Sequence, residues 1–238
     1  MDEYIIAIGG GEIRQRETLA IDEYICNLVK SRTKDRRANA LFVGTASHDY
    51  MPYYNTFHKI YTGIFGLKTD CALTVYVETD DDKLKSKFDK ADLIYVGGGD
   101  TVFMVNKWRE RGIVGHILNS LKRGAVICGL SAGAICWFEK MYTDGLITEG
   151  VSDKYEITDA LGIIKGGACP HFNLRVTDFI NAISVYDDNL EWYGIENNAA
   201  LVFKNGQLEK SLKCGGEAYK IKKIAEINGA KKIFTEKI

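Results

Sequence analysis

Gly129-Leu130-Ser131-Ala132-Gly133 follows directly on the apolar run Ala125-Val126-Ile127-Cys128. A buried strand that breaks into G-x-S-x-G and then enters a helix is the pattern of a nucleophile elbow. Glycine is needed on both sides because the turn is tight. The turn lifts the Ser131 hydroxyl clear of the backbone and aims the Ala132 amide at whatever the serine attacks. A serine so placed does acyl transfer. It needs a base to take its proton and a second amide to receive the oxyanion.

Histidine is the usual base near neutral pH, and the chain has His48, His58, His116 and His171. His58 and His116 fall in helical segments, where a structural or surface role is expected. His48 closes the loop Gly44-Thr45-Ala46-Ser47-His48 after a strand, which leaves a place on a pocket rim open. His171 stands in Gly166-Gly167-Ala168-Cys169-Pro170-His171-Phe172, a stiff turn between a glycine-rich segment and a helix. It is the candidate base; its plain structural role would be a helix cap. An α/β-hydrolase places an acid before a late histidine. Here His171 follows soon after Ser131, so the order fits a different architecture for the same chemistry. The second oxyanion amide is expected from Gly97-Gly98-Gly99-Asp100-Thr101, because glycine lets the backbone approach closely. The same loop lacks the Gly-Lys-Ser/Thr ending of a phosphate-binding P-loop.

Elements must carry these residues to one place. Strands are expected at Tyr4–Ile8, Ala40–Val43, Leu73–Val77, Leu93–Val96 and Ala125–Cys128. Helices are expected at 16–30, 56–64, 81–90 and 101–120, which alternate with those strands. The alternation predicts βαβ units and a parallel sheet covered on both faces. Four of the strands end in glycine, and in open α/β sheets ligands bind beyond the carboxyl ends of strands. After about residue 145 the texture changes to short runs: Leu146-Ile147-Thr148, Leu201-Val202-Phe203 and Ala218-Tyr219-Lys220-Ile221. Asn205-Gly206 is a hairpin signal. Antiparallel strands at the far edge of the sheet are expected, with one helix over 175–185.

The composition narrows the class. With 238 residues the chain suits one α/β domain, and 31 basic against 32 acidic residues give a net charge of -1. That balance excludes an electrostatic nucleic-acid binder. No apolar stretch is long enough to span a membrane. Met1-Asp2-Glu3-Tyr4 has no basic n-region, so a cytoplasmic location is expected. Cys26, Cys71, Cys128, Cys136, Cys169 and Cys214 form no paired metal-like spacing and read as free thiols.

Val96-Gly97-Gly98-Gly99-Asp100-Thr101, Gly129-Leu130-Ser131-Ala132-Gly133-Ala134 and Pro170-His171-Phe172, in that order, resemble the S51 serine peptidases, which include dipeptidase E and cyanophycinase. The resemblance runs from the first strand through Gly194-Ile195-Glu196. It implies a single domain over 1–238 with a flavodoxin-like, class I glutamine amidotransferase-like fold, no metal and no organic cofactor. It implies Ser131 as nucleophile, His171 as base, and the Gly99 and Ala132 amides as oxyanion hole. The family's orienting acid falls in a Gly-Ile-x-Glu segment, where this chain reads Gly194-Ile195-Glu196-Asn197. Either the strand end is bulged and Glu196 turns toward His171, the reading favoured here, or Asn197 orients the imidazole. Asp144, in a turn soon after the elbow helix, is a further candidate.

Two departures bear on substrate. Asp100 stands where the dipeptidase has asparagine, and its charge would oppose an anionic substrate. Arg175, four residues past His171 on the same helix face, is the candidate to bind a substrate carboxylate; an exposed helix arginine is its other reading. The function expected is hydrolysis of small peptides, aspartyl dipeptides among them, by a monomer or homodimer. An esterase or amidase on the same triad, and a silent peptide-binding sensor, are the alternatives.

Overall fold

Apolar runs and helical segments alternate from Tyr4 to Leu130, and the computed structural model folds them as βαβ units. It describes residues 1–34, 36–75, 80–148, 150, 154–186, 189–227 and 230–238. The first half contains β1 (Tyr4–Ile8), α1 (Leu19–Thr33), β2 (Asn39–Val43), α2 (Met51–Gly63), β3 (Lys68–Ala72) and α3 (Asp81–Lys90). It continues with β4 (Leu93–Val96), α4 (Thr101–Arg111), α5 (Ile113–Arg123) and β5 (Val126–Leu130). Past the elbow come α6 (Ala132–Ile135), β6 (Phe138–Thr143), α7 (Gly145–Thr148), β7 (Glu156–Asp159), β8 (Ile164–Cys169) and α8 (Phe172–Val185). Then β9 (Trp192–Ile195), β10 (Ala199–Lys204), β11 (Gln207–Lys213), β12 (Ala218–Ile227) and β13 (Ala230–Lys237) complete the chain.

Two sheets form, where one was expected. The first has the order β11-β10-β1-β5-β4-β2-β3. Its β3, β2, β4, β5 and β1 are parallel, and β10 and β11 add the antiparallel edge through the Asn205-Gly206 hairpin. A flavodoxin-like sheet runs 2-1-3-4-5; here the N-terminal strand lies between β5 and β10 instead. The remaining late strands do not extend this edge. They make a second sheet, β13-β12-β9-β8-β6-β7, with β6, β8 and β9 mutually parallel.

The strand alternation explains the layers. Ile6, Ile8, Phe42, Tyr95, Cys128 and Val202 face α1 and α2, packing on Ile21, Ile25, Phe57 and Tyr61. Their neighbours Ile5, Ala7, Val43, Val96 and Ile127 face the other way, toward Met104, Trp108, Ile117 and the elbow helix. Phe203 of the first sheet meets Phe138 and Tyr193 of the second, both edge-on, at 5.5 and 5.6 Å between ring centres, which packs the two sheets together at their junction. Helix α8 covers the second sheet through Phe172, Phe179 and Ile183.

Three local expectations shift. The third strand lies at Lys68–Ala72 rather than 73–77, because as an edge strand it is largely polar and half exposed; Tyr76 and Val77 fall outside the described residues. The helix expected over 101–120 divides at Gly112, which caps α4 in the left-handed region. Leu146–Thr148 belongs to a single helical turn, not a strand. Among the described residues no helix is long and apolar enough to cross a membrane, and no cluster of three or more His, Cys, Asp or Glu could hold a metal ion.

Candidate active site

Both sheets point the carboxyl ends of parallel strands at one place. Ile8 pairs with Leu130 and Val96 with Gly129, so the loops after β1, β4 and β5 emerge side by side. Cys169 pairs with Gly194, which brings out the loops after β8 and β9 together.

Ser131 sits between β5 and α6 with φ 55° and ψ −109°. A non-glycine residue held there stores on the order of 1–3 kcal/mol of strain. The surroundings hold it: its amide donates to the Ile8 carbonyl at 2.9 Å. The flanking glycines are required by close approach. A Cβ on Gly129 would lie 2.0 Å from the Gly133 oxygen, and one on Gly133 would lie 2.3 Å from the Val96 oxygen.

His171 follows β8 and begins α8 in the left-handed region, φ 50°. Its amide donates to the Gly9 carbonyl at 2.9 Å. Its Nε2 lies 2.8 Å from Ser131 Oγ, and its Nδ1 lies 2.6 Å from Asn197 Oδ1. An amide oxygen only accepts, so this contact assigns the hydrogen to Nδ1 and leaves the Nε2 lone pair facing the serine hydroxyl. Burial lowers the His171 pKa below its ordinary value of 6.5; the Arg175 charge works in the same direction, while the Asn197 hydrogen bond and the Asp144 charge oppose them. The imidazole is therefore neutral at neutral pH.

Asn197, not Glu196, reaches the ring. Successive residues leaving a strand point to opposite sides. The Glu196 amide donates to the Glu217 carbonyl at 3.0 Å, and its carboxylate accepts from the Glu217 amide at 2.9 Å. Glu196 thus turns toward the start of β12. Asn197 is held in turn by its own amide, which donates to Asn173 Oδ1 at 3.1 Å. Asp144 does not orient the histidine either: its Oδ2 accepts from Arg175 at 3.1 Å.

The loop Gly9-Gly10-Gly11 carries more of the site than its sequence suggested. Gly9 binds the His171 amide and Gly10 binds the Asn198 amide through their carbonyls. A Cβ on Gly10 would lie 2.1 Å from Asn197 Oδ1 and 2.4 Å from His171 Nδ1. The signal was legible as a second glycine triplet after a strand, matching Gly97-Gly98-Gly99.

The Gly99 and Ala132 amides have no hydrogen-bond acceptor among the described residues. Gly99 has φ +137°, and a Cβ there would lie 2.2 Å from the Ala46 oxygen. Asp100 caps α4, its buried carboxylate accepting from the Phe103 amide at 2.9 Å. Arg175 is buried rather than exposed, paired with Asp144 and lying 4.4 Å over the Tyr155 ring. His48 packs on Phe103 at 4.1 Å, His58 Nδ1 meets Thr69 Oγ1, and His116 stacks on Phe88. A surface cavity of about 410 Å³ between Asn39, Lys68, Lys87 and Lys90 opens at the amino ends of β2 and β3, the wrong edge for this chemistry.

A serine beside a neutral, oriented histidine, with two unpaired amides near the elbow, is an arrangement able to carry out acyl transfer. The sequence profile of peptidase family S51 matches residues 5–211. The Bacillus subtilis peptidase YgaJ is 32% identical over 238 residues, covering 94% of this chain and 95% of its own. Peptidase E of Salmonella arizonae is 46% identical over 86 residues, 35% of either chain. Among solved structures, a peptidase from an acI-B1 actinobacterium superposes with a TM-score of 0.68 at 19% identity, covering 100% of this chain and 97% of that one. A Listeria monocytogenes protein described as a putative peptidase E gives 0.67 at 17% identity, over 90% of this chain and 99% of that one. The chain belongs to peptidase family S51 and is a serine peptidase.

Proposed function

We propose that the protein hydrolyses short peptides through an acyl-enzyme on Ser131. The observation that carries this reading is the relay of Ser131 Oγ, His171 and Asn197 at 2.8 and 2.6 Å. Ser131 Oγ attacks the scissile carbonyl carbon while His171 Nε2 takes the hydroxyl proton. The carbonyl oxygen, now negative, receives the Gly99 and Ala132 amides. His171 gives the proton to the leaving amine as the C–N bond breaks. Water then attacks the ester, His171 takes its proton, and the proton returns to Ser131 as the acid leaves. Asn197 accepts the Nδ1 hydrogen throughout. It fixes the tautomer, and being neutral it adds no charge to stabilise the imidazolium.

Arg175 supports the finer reading of aspartyl substrates. It lies one helical turn past His171, and its charge is felt at the imidazole. The guanidinium has N–H groups beyond the one given to Asp144, enough to meet a substrate carboxylate. Asp144, which is more exposed than Arg175, would then lie beside the substrate's ammonium.

A fluorophosphonate probe tests the nucleophile. The expected result is one adduct, on Ser131, absent in Ser131→Ala, with peptide turnover lost in the same variant. Full turnover in clean Ser131→Ala protein would overturn the reading. Mass-spectrometric readout of a dipeptide library tests the substrate: preference for N-terminal aspartate over alanine, lost in Arg175→Met, is expected. Cleavage of short esters with no peptide cleaved would replace the peptidase reading by the esterase one.

A further inference from the structure

We propose that Tyr53 is a positioning residue for the oxyanion hole, a reading that rests on the roles given above to Ser131 and Gly99. Tyr53 lies in the first turn of α2, and its hydroxyl accepts from the Gly98 amide at 3.3 Å. The four successive amides of this loop are disposed unequally. Gly97 donates to the Val43 carbonyl at 3.0 Å, Gly98 to Tyr53, and Asp100 to the Ala46 carbonyl at 2.8 Å. Of these four amides only that of Gly99 lacks an acceptor among the described residues. The free amide is thus held between two pinned ones. The hydroxyl is the only side-chain group among the three anchors; the other two are backbone carbonyls.

The ring contributes as well. Tyr53 stands edge-on to Phe42, with centroids 5.0 Å apart, and a Cβ on Gly97 would lie 2.9 Å from its Cε1. The loop therefore packs directly against the phenol. Burial pushes the phenol's pKa up to about 12, so the hydroxyl stays neutral across the working range. The consequence of losing it is specific. Gly98 sits against the nucleophile: a Cβ there would be 3.4 Å from Ser131 Cβ. Without Tyr53 Oη the Gly98 amide is left unpaired beside the reacting carbonyl. It must then find another acceptor, and either the loop turns or the amide competes with Gly99 for the carbonyl oxygen. An oxyanion donor misplaced in this way weakens transition-state binding more than substrate binding.

Tyr53→Phe keeps the ring packing and removes only the acceptor. The reading compares the rate of fluorophosphonate labelling, since the phosphoryl oxygen of that probe takes the oxyanion's place, with peptide kinetics and thermal midpoint. The labelling rate and kcat are expected to fall by about tenfold together, less than the loss of a donor itself, with KM within about twofold and the midpoint within a few degrees of the wild type. Equal labelling rates in Tyr53→Phe and wild type would overturn the proposal. So would a raised KM at unchanged kcat, which would place the hydroxyl on the substrate. A wild-type protein that takes no label on Ser131 would overturn the nucleophile and this proposal together. A wild type that labels while Tyr53→Phe labels equally fast overturns this proposal alone.

Discussion

The proposed nucleophile and its proposed base are held in different ways. Ser131 is fixed mostly by its own neighbours in sequence: Gly129 and Gly133 let the chain fold back within five residues, and α6 starts at Ala132. His171 and Asn197 come from the ends of two strands of the second sheet and are braced across the gap by Gly9 and Gly10 of the first. The nucleophile's geometry is a local property, and the base's geometry is a property of how two sheets meet. Damage to the first should cost the fold, and damage to the second should cost activity while the fold survives.

Gly10→Ala and Gly129→Ala test that contrast most severely. The added methyl of Gly129→Ala meets a backbone oxygen at 2.0 Å that cannot move without undoing the elbow. A loss of about 4 kcal/mol or more in stability is expected, read as poor soluble yield or a much lower urea midpoint. The methyl of Gly10→Ala meets the two side-chain atoms of the base pair, at 2.1 and 2.4 Å. Those rings and amides can swing away, so the protein folds, but the relay is displaced by about 1 Å and kcat/KM falls by about a hundredfold or more. Wild-type kcat/KM in Gly10→Ala would show that the first sheet does not brace the base.

The next contrast lies inside the base arm. Asn197→Ala removes the acceptor on Nδ1, so the imidazole loses its tautomer and orientation, and kcat falls by about a hundredfold. Glu196→Gln, one residue away, touches contacts with Glu217 and Tyr219 on the side away from the ring, and kcat stays within about twofold of the wild type. Steady-state kinetics on the same peptide decides it. If Glu196→Gln were the damaging substitution, the strand end would have to turn its side chains the other way in solution.

How much of this was legible follows the same division. Ser131, Ala132 and the Gly97–Gly99 loop could be read from the sequence because local spacing alone sets them. His171 was legible from its turn. The residue that meets it was not, because Glu196 and Asn197 are adjacent, and the choice depends on which side of β9 faces the first sheet. The second sheet was hidden for a related reason. Its strands are short and separated by turns, and nothing in their alternation says whether they extend one sheet or begin another. Arg175 shows the limit from the other side: helix spacing placed it near His171 correctly, but only packing shows that Asp144 and Tyr155 bury it. Asp100 was read for its charge beside the glycine loop, although an Asp directly before a helix is also a capping signal, and the structure uses its carboxylate to cap α4.

The smallest expected effect concerns the charge that this site lacks. The active form has neutral His171, because an imidazolium cannot take the Ser131 proton. Activity therefore falls as pH drops through the folded-state pKa of His171. Burial and the Arg175 charge put that pKa below 6.5, so the acid limb of kcat/KM lies below pH 6.5 in the wild type. Asn197→Asp places a carboxylate on Nδ1. An adjacent negative charge favours the protonated ring, so the pKa rises and the acid limb moves up in pH. At pH 8 the ring is still neutral in the ground state, and the carboxylate stabilises the imidazolium that forms during attack; kcat is expected to rise by up to about tenfold there. The two shifts belong together, because both come from one charge beside one nitrogen. An acid limb that stayed in place with kcat unchanged would mean that the group at position 197 does not face His171 in the working enzyme. The base arm would then have to be oriented from elsewhere, with the Asp144 carboxylate, whose charge already raises the imidazole's pKa, the next group to substitute.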